Sequence, residues 1–461
     1  MKRLLVLVVL VAAALFFTAP AFAVDVTVSG DLNNRFNLYN NQSQYWSGAE
    51  TIKKSGIIEK DGNSAFWGDI KYRLYSTVST NDGAIKGVYG IELGALRFGQ
   101  ADYSKGGGGG YSGDGVNIET RYAYTDFQLP FVQDKARVTI GLQPFMVNHY
   151  VWQETAMGVQ LAGATSGLDY KVAWMRGRED FPTNDSPNSF QDADGFLLRG
   201  DMKPMEGTKL GLFGLYQRER AEGNGAIPTS MPYEIKQIGT GLDYDLYTIG
   251  TDGAFKTPTQ GGDFFVNWDL IYQGGTIDTG DIDVSGYFLH ADVGMDLGKL
   301  RLTYTGWYAS GDDDDNDDEF NNFMSTDVDM FDSVVLFEGG YTDDNYFTEA
   351  PYILNKGMIF NKIAADYKFS DKVKAGAALL YLMTAEDLEW SVNGTDYSED
   401  TLGTELDAYV SYMLYPNTEF AVNFGYLFAD DAMDYWEAAN IQDGSSDEDL
   451  FRSTARIRYK F

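Results

Sequence analysis

Beyond its first two dozen residues, the chain keeps returning to alternation of apolar and polar positions with a period of two. The last segment is the sharpest case. From Phe451 to Phe461 the odd positions read Phe, Ser, Ala, Ile, Tyr, Phe, and the even ones Arg452, Thr454, Arg456, Arg458, Lys460. Extended backbone sends successive side chains to opposite faces. One face is therefore apolar with aromatics at both ends, and the other is almost wholly cationic. A soluble sandwich would have to bury the first face while solvating the second within one layer. A barrel wall between lipid and water accommodates both.

The pattern recurs upstream. Phe66, Gly68, Ile70, Tyr72 and Leu74 alternate with Trp67, Asp69, Lys71, Arg73 and Tyr75. Val116, Ile118, Thr120, Tyr122 and Tyr124 alternate with Asn117, Glu119 and Arg121. Leu168, Tyr170, Val172 and Trp174 alternate with Asp169 and Lys171, and Leu406, Ala408, Val410, Tyr412 and Leu414 with Glu405 and Asp407. Phe420, Val422, Phe424, Tyr426 and Phe428 complete the set. Each run is close to the roughly 10 residues that a tilted strand needs to cross a bilayer.

The connections alternate too. Short ones rich in Asn, Asp, Gly and Pro fall at 80–83, 162–167, 203–207, 297–299, 370–372 and 415–418, the composition of tight turns. Long polar ones fall at 40–65, 99–115, 177–192, 219–233, 310–357, 385–403 and 430–449. The expected fold is all-β: a closed antiparallel transmembrane barrel, with short periplasmic turns, long extracellular loops and both termini in the periplasm. Pairing the runs predicts about 18 strands, or 16 if the faintly patterned stretch 246–262 does not contribute.

The first residues and the composition fit that reading. Lys2 and Arg3, the apolar stretch Leu4–Phe17 and Ala21-Phe22-Ala23 have the layout of a cleaved secretory signal. Residues 1–23 are thus a leader, and 24–461 a single barrel. Losing Lys2 and Arg3 deepens the net charge from −33 to −35, which argues against nucleic acid as a partner. There are 31 Tyr, 29 Phe and 51 Gly, but no Cys. Aromatic strands and turns are favoured, and a closed hydrogen-bonded ladder must do what disulfides would otherwise do.

Given the aromatic Phe461 that ends an alternating strand, the chain resembles the bacterial porin family. The segments Asn117-Ile118-Glu119-Thr120-Arg121-Tyr122-Ala123-Tyr124-Thr125-Asp126-Phe127 and Gly141-Leu142-Gln143-Pro144-Phe145 are similar to porins of sulfate- and metal-reducing bacteria. The resemblance implies an outer-membrane diffusion channel for small hydrophilic solutes or ions, set among lipid and lipopolysaccharide and able to form a homotrimer. It names no solute and places no constriction residue.

Other chemistry finds little support. Lys105 precedes Gly106–Gly110 with no Gly-Lys-Ser/Thr to close a phosphate loop. Counted from Asp312, the sixth and twelfth positions are Asp317 and Phe323, where a calcium loop needs Gly and Glu. The only histidines are His149, in the loop after Pro144, and His290, on the lumenal face of Ser285–Met295. Neither has the company of a catalytic triad, so no enzyme, metal site or cofactor is expected.

Function should therefore lie in the lumen. Alternation points Lys71, Arg73, Arg121, Arg137, Lys171, Arg199, Arg218, Arg452, Arg456 and Arg458 inward. Asp69, Glu119, Asp243, Asp269, Glu405 and Asp407 face the same way. Most such charges pair across strands. What remains is a cationic wall where the last strand meets the first two, since closure makes them neighbours. The rival reading is a sheath around a partner such as an electron-transfer cytochrome. Surface display through 310–357 is a third.

Overall fold

The computed structural model describes residues 24–40, 65–99, 109–110, 118–130, 132, 136–178, 193–219, 243–278, 281–314, 317–342, 347–436 and 449–461. The expected leader at 1–23, the 40–65 and 219–233 connections, the phosphate-loop candidate up to Gly108 and most of 99–115, 177–192 and 430–449 lie outside the described residues.

The strands in chain order begin β1 (Val24–Asn40), β2 (Ala65–Thr80), β3 (Ile85–Arg97), β4 (Glu119–Gln128), β5 (Ala136–Pro144) and β6 (Thr155–Thr165). Next come β7 (Leu168–Arg178), β8 (Ala193–Met202), β9 (Thr208–Glu219), β10 (Tyr244–Pro258), β11 (Asp263–Ile277) and β12 (Ile282–Leu297). The chain ends with β13 (Leu300–Ala309), β14 (Glu319–Phe320), β15 (Met358–Lys368), β16 (Val373–Val392), β17 (Thr395–Tyr415), β18 (Thr418–Ala429) and β19 (Leu450–Lys460).

All but β14 form one antiparallel wall of 18 strands, in which β13 pairs with β15 and β19 closes on β1. Among the described residues no strand of this wall lacks a neighbour on either side, so its ladder closes all the way round. β10 occupies the faint 246–262 stretch and takes full ladders from β9 and β11. The wall thus has the higher of the two expected counts. β14 pairs parallel with Asp283 and Val284 of β12 and stands apart from the wall.

The outer faces are apolar and exposed, as at Leu198, Ile363, Leu406, Phe424 and Tyr459. On the opposite parity, Leu197, Phe360, Glu405, Leu427 and Arg452 are buried. The cause is residues 310–357, which run into the barrel. Val335, Leu336 and Phe337 are packed among Trp307, Phe360, Leu380, Leu382 and Leu427 of the inner wall. The expectation of a long polar outer loop here is corrected. The acidic stretch 312–319 dominates the sequence impression, but the apolar residues after it need burial, which only the lumen offers. Surface display through this segment falls with that expectation.

The 385–403 stretch is a second correction. β16 and β17 continue through it as a hairpin that turns at Asn393-Gly394, with φ of 52° and 81°. An Asn-Gly pair with both residues left-handed suits the twist of a two-residue hairpin turn. Leu388, Val392 and Leu402 are buried, and Trp390 stacks on Tyr397 with centroids 5.4 Å apart.

Candidate functional site

The sector β19–β1–β2–β3–β4 supplies one side of the lumen. Its register sets Arg35 beside Asp69 and Asn33 between Lys71 and Arg458. Arg35 and Asp69 form a buried ion pair, and Asn37 and the Trp67 indole donate to the second Asp69 oxygen at 3.0 and 3.1 Å. Arg458 pairs with Asp31. Arg73 pairs with Glu92, and Lys71 and Arg121 approach the same carboxylate at 3.4 and 3.5 Å.

Arg121 arrives there through an irregularity. Gly90 pairs with Tyr122 but Ile91 with Thr120, which leaves Arg121 as the extra residue of a bulge. A bulge resets the alternation. Tyr122 therefore joins the lumenal face, where its ring stacks on Tyr75 at 5.1 Å. This corrects the expectation that Tyr122 continues an apolar outer face.

Two infolded segments supply the other side. Residues 145–154 form a tight hairpin, with Phe145 N–H donating to Glu154 O (2.9 Å) and Val147 N–H to Trp152 O (3.0 Å). Asn148 makes its tip: Oδ1 accepts from Tyr150 N–H, and Nδ2 donates to Asp269 (2.6 Å) and Asp252 (3.2 Å). His290 contacts Asp269 at 2.8 Å and Asp292 at 3.4 Å, beneath the Tyr150 ring. The hairpin is stitched to residues 310–357 by Thr326 N–H to Val151 O (2.8 Å) and Gln153 N–H to Asp327 O (2.9 Å).

The longer segment is pinned in turn by wall carboxylates. Glu405 accepts from Ser333 Oγ (2.7 Å) and Val335 N–H (2.8 Å), and Asp407 from Val334 N–H (3.1 Å). Arg456 donates to Gly340 O and lies 4.0 Å over the Tyr341 ring. Burial pushes the Tyr341 phenol up to about 12, partly opposed by Arg456.

Between wall and segments, at mid-height, a polar cavity of about 350 Å³ is lined by Lys71, Arg73, Arg121 and Arg458 on one side. Glu154, Asp329, Phe331 and Tyr341 face them. Toward the short turns lie a cavity of about 790 Å³ with Lys171 and Arg199, and one of about 380 Å³ with Arg456 and Asp407.

The residues expected to line the lumen are thus divided. Lys71, Arg73, Arg121 and Arg458 meet at one gap; Lys171, Arg199, Arg456 and Asp407 border the two deeper cavities. Asp69, Arg452, Glu405 and Asp269 are buried, the last two beneath infolded segments. Arg137 sits near the short turns, bonded to Asp126 and Gly83 O. Glu119 is exposed at the loop end, and Asp243 just precedes β10. Arg218 is a correction. Its neighbour Gln217 takes a hydrogen bond from Thr326 inside, so Arg218 faces outward, where it pairs with Asp194 alongside Arg176. In β9 the odd positions, Phe213, Leu215 and Gln217, are the buried ones, so even-numbered Arg218 falls on the other face.

Alternation could not find Glu92, Arg35 or the hairpin 145–154. Arg35 lies in a strand whose polar face is rich in Asn, and Glu92 lies between two register shifts. Residues 145–154 are too short to read as a lumenal segment.

No protein-family model matches the chain, and no curated protein matches it. Solved structures do. The outer membrane protein OprD from Pseudomonas aeruginosa is 11% identical over 96% of this chain and 95% of that one, with a TM-score of 0.54. Pseudomonas aeruginosa OccK3 is 13% identical over 95% and 96%, TM-score 0.52. OpdK of the same organism, solved with vanillate, is 10% identical over 94% and 98%, TM-score 0.53. At such identities the shared property is the fold, a large closed barrel of the outer-membrane type.

Proposed function

We propose that this chain is an outer-membrane porin, a passive channel for small hydrophilic solutes or ions. The observation that carries the reading is the charged cavity at mid-height, bounded by a closed wall whose outward faces are apolar. Barrels of 16–18 strands leave an aqueous passage, and here infolded segments narrow it to a gap with cations on one side and carboxylates on the other. Charges held at a narrow point, more than those at a screened mouth, set ion preference.

Residues 1–23 act as the export signal, and the short turns and both chain termini of the barrel lie in the periplasm. Lipid and lipopolysaccharide surround the loop end, where Arg176, Asp194 and Arg218 face outward. The passage lies within one chain, so conduction needs no second copy; a homotrimer would carry three such passages. The similarity to porins of sulfate- and metal-reducing bacteria rests on residues 117–127 and 141–145 and adds no solute. A sheath around a cytochrome is disfavoured, because the barrel's own residues 310–357 occupy the space a partner would need.

Purified protein in a planar lipid bilayer should give stepwise conductance increments. A barrel that inserts but stays electrically silent would remove the channel reading.

A further inference from the structure

Lys71, Arg73 and Arg121 all border the mid-height cavity, and all three converge on one carboxylate that does not. Glu92 is 4% exposed and lies behind them. Its Oε1 stands 3.4 Å from Lys71 Nζ; its Oε2 pairs with Arg73 Nε and stands 3.5 Å from Arg121 Nε. The backbone is arranged around this convergence. Toward β2, Tyr72 pairs with Leu93 but Ile70 with Leu96, so Gly94 and Ala95 together oppose Lys71. Toward β4, Arg121 is the extra residue opposite Gly90 and Ile91. Two bulges thus flank Glu92, one in its own strand at Gly94-Ala95 opposite Lys71 and one in β4 at Arg121, and each sets a cation beside it. Gly94 completes the arrangement, since a Cβ there would come within 2.8 Å of Glu92 Oε1.

We propose that Glu92 is the positioning residue that sets the ion preference of this passage. The inference rests on the channel reading and deepens it. Among the described residues the cavity is lined by four cations, Lys71, Arg73, Arg121 and Arg458, and by three carboxylates, Asp31, Glu154 and Asp329. Glu92 supplies the fourth negative charge from the second layer, without touching the passing solute. Asp31 is already engaged by Arg458, and Glu154 contacts Arg121 at 3.1 Å. Neutralising Glu92 therefore removes one negative charge from the wall beside three cavity-lining cations, at a separation well inside the ~8–10 Å screening length of physiological salt.

The test is the reversal potential in a potassium chloride gradient across a planar bilayer, for wild type, Glu92→Gln, Glu92→Asp and the double variant Glu92→Gln/Arg121→Gln. The single Gln variant should move the anion-to-cation permeability ratio toward anions by at least about twofold, as expected for one charge at a narrow ring. Glu92→Asp should keep the wild-type preference, and the double variant should return toward it by restoring the charge balance. A folded, conducting Glu92→Gln with the wild-type ratio overturns the proposal. If that variant does not fold, a double variant that retains an anion shift overturns it instead. A wild-type protein that never conducts would take away the channel itself, and is distinguishable from either result.

Discussion

Arg452 in β19 and Glu338 in the infolded segment, 114 residues apart, form an ion pair 2.5 Å long in which both side chains are fully buried. Tyr39 donates to the same carboxylate and lies under the guanidinium, whose carbon is 4.5 Å from the ring centroid. Arg452 Nε and Nη1 find no hydrogen-bond partner among the described residues. This pair fastens the far end of the segment to the wall opposite its point of departure. Its desolvation is only partly compensated, so what it contributes is placement more than net stability.

Breaking one side should therefore cost far more than removing both. Glu338→Ala strands a buried cation and should destabilise the barrel by about 3–5 kcal/mol. The double variant Glu338→Leu/Arg452→Met, of similar volume and without charge, should stay within about 1–2 kcal/mol of wild type. Urea unfolding of vesicle-inserted protein, followed by tryptophan fluorescence, checks both. Equal losses in the two variants would contradict the argument.

The ten cations projected inward from alternation should not act alike. Arg73→Ala and Arg458→Ala each remove a charge from the mid-height cavity and should shift the reversal potential toward cations. Arg137→Ala, beside the short turns, and Arg218→Ala, on the outer face, should leave it unchanged. The same salt-gradient recording reads all four, and a shift for Arg218→Ala as large as that for Arg73→Ala would contradict the placement.

That contrast shows how much could be read in advance. Period-two alternation revealed the wall, its closure and the cationic strand ending at Phe461, because those depend on local backbone geometry and on two solvents. It failed wherever the period slipped. The Arg121 bulge turned Tyr122 inward, and a phase error misplaced Arg218. It was also blind to what fills the lumen. The apolar run Val334–Phe337 was the available signal for an infolded segment, since such a run between polar residues must be buried somewhere. The acids at 312–319 obscured it. Glu92 is legible only in three dimensions, because its three partners come from two neighbouring strands through irregular register.

Tyr341 gives a pH signature. Burial raises its phenol from the ordinary 10 to about 12. A group whose folded value is raised contributes stability below its unfolded value and loses it as pH rises toward the folded one. Its contribution should be constant to about pH 9 and decline between about 10 and 12. Tyr341→Phe should flatten its share of that decline in a series of urea midpoints taken across this range. An identical alkaline loss in the Phe variant would show that Tyr341 is not responsible.

The infolded segment itself permits the most direct perturbation. Its two ends adjoin: a Cβ on Gly311 would lie 2.4 Å from the Lys356 backbone, and Ala309 and Met358 are already paired in the wall. Replacing residues 312–355 by a short Gly-Ser link should therefore leave the β13–β15 ladder closed. Phe288, Trp307, Phe360 and Leu382, now covered, would face water, at about 1.5–3 kcal/mol for each uncovered side chain. Stability should fall while the passage widens, with single-channel conductance rising by at least about twofold, since the longer of the two infolded segments no longer fills a lumen that 18 strands make wide enough for water. The expected outcome is thus opposite in sign for the two measurements. A stable, folded excision variant with wild-type conductance would mean that the segment does not limit the passage, and that the hairpin 145–154 or the wall itself forms the narrow point.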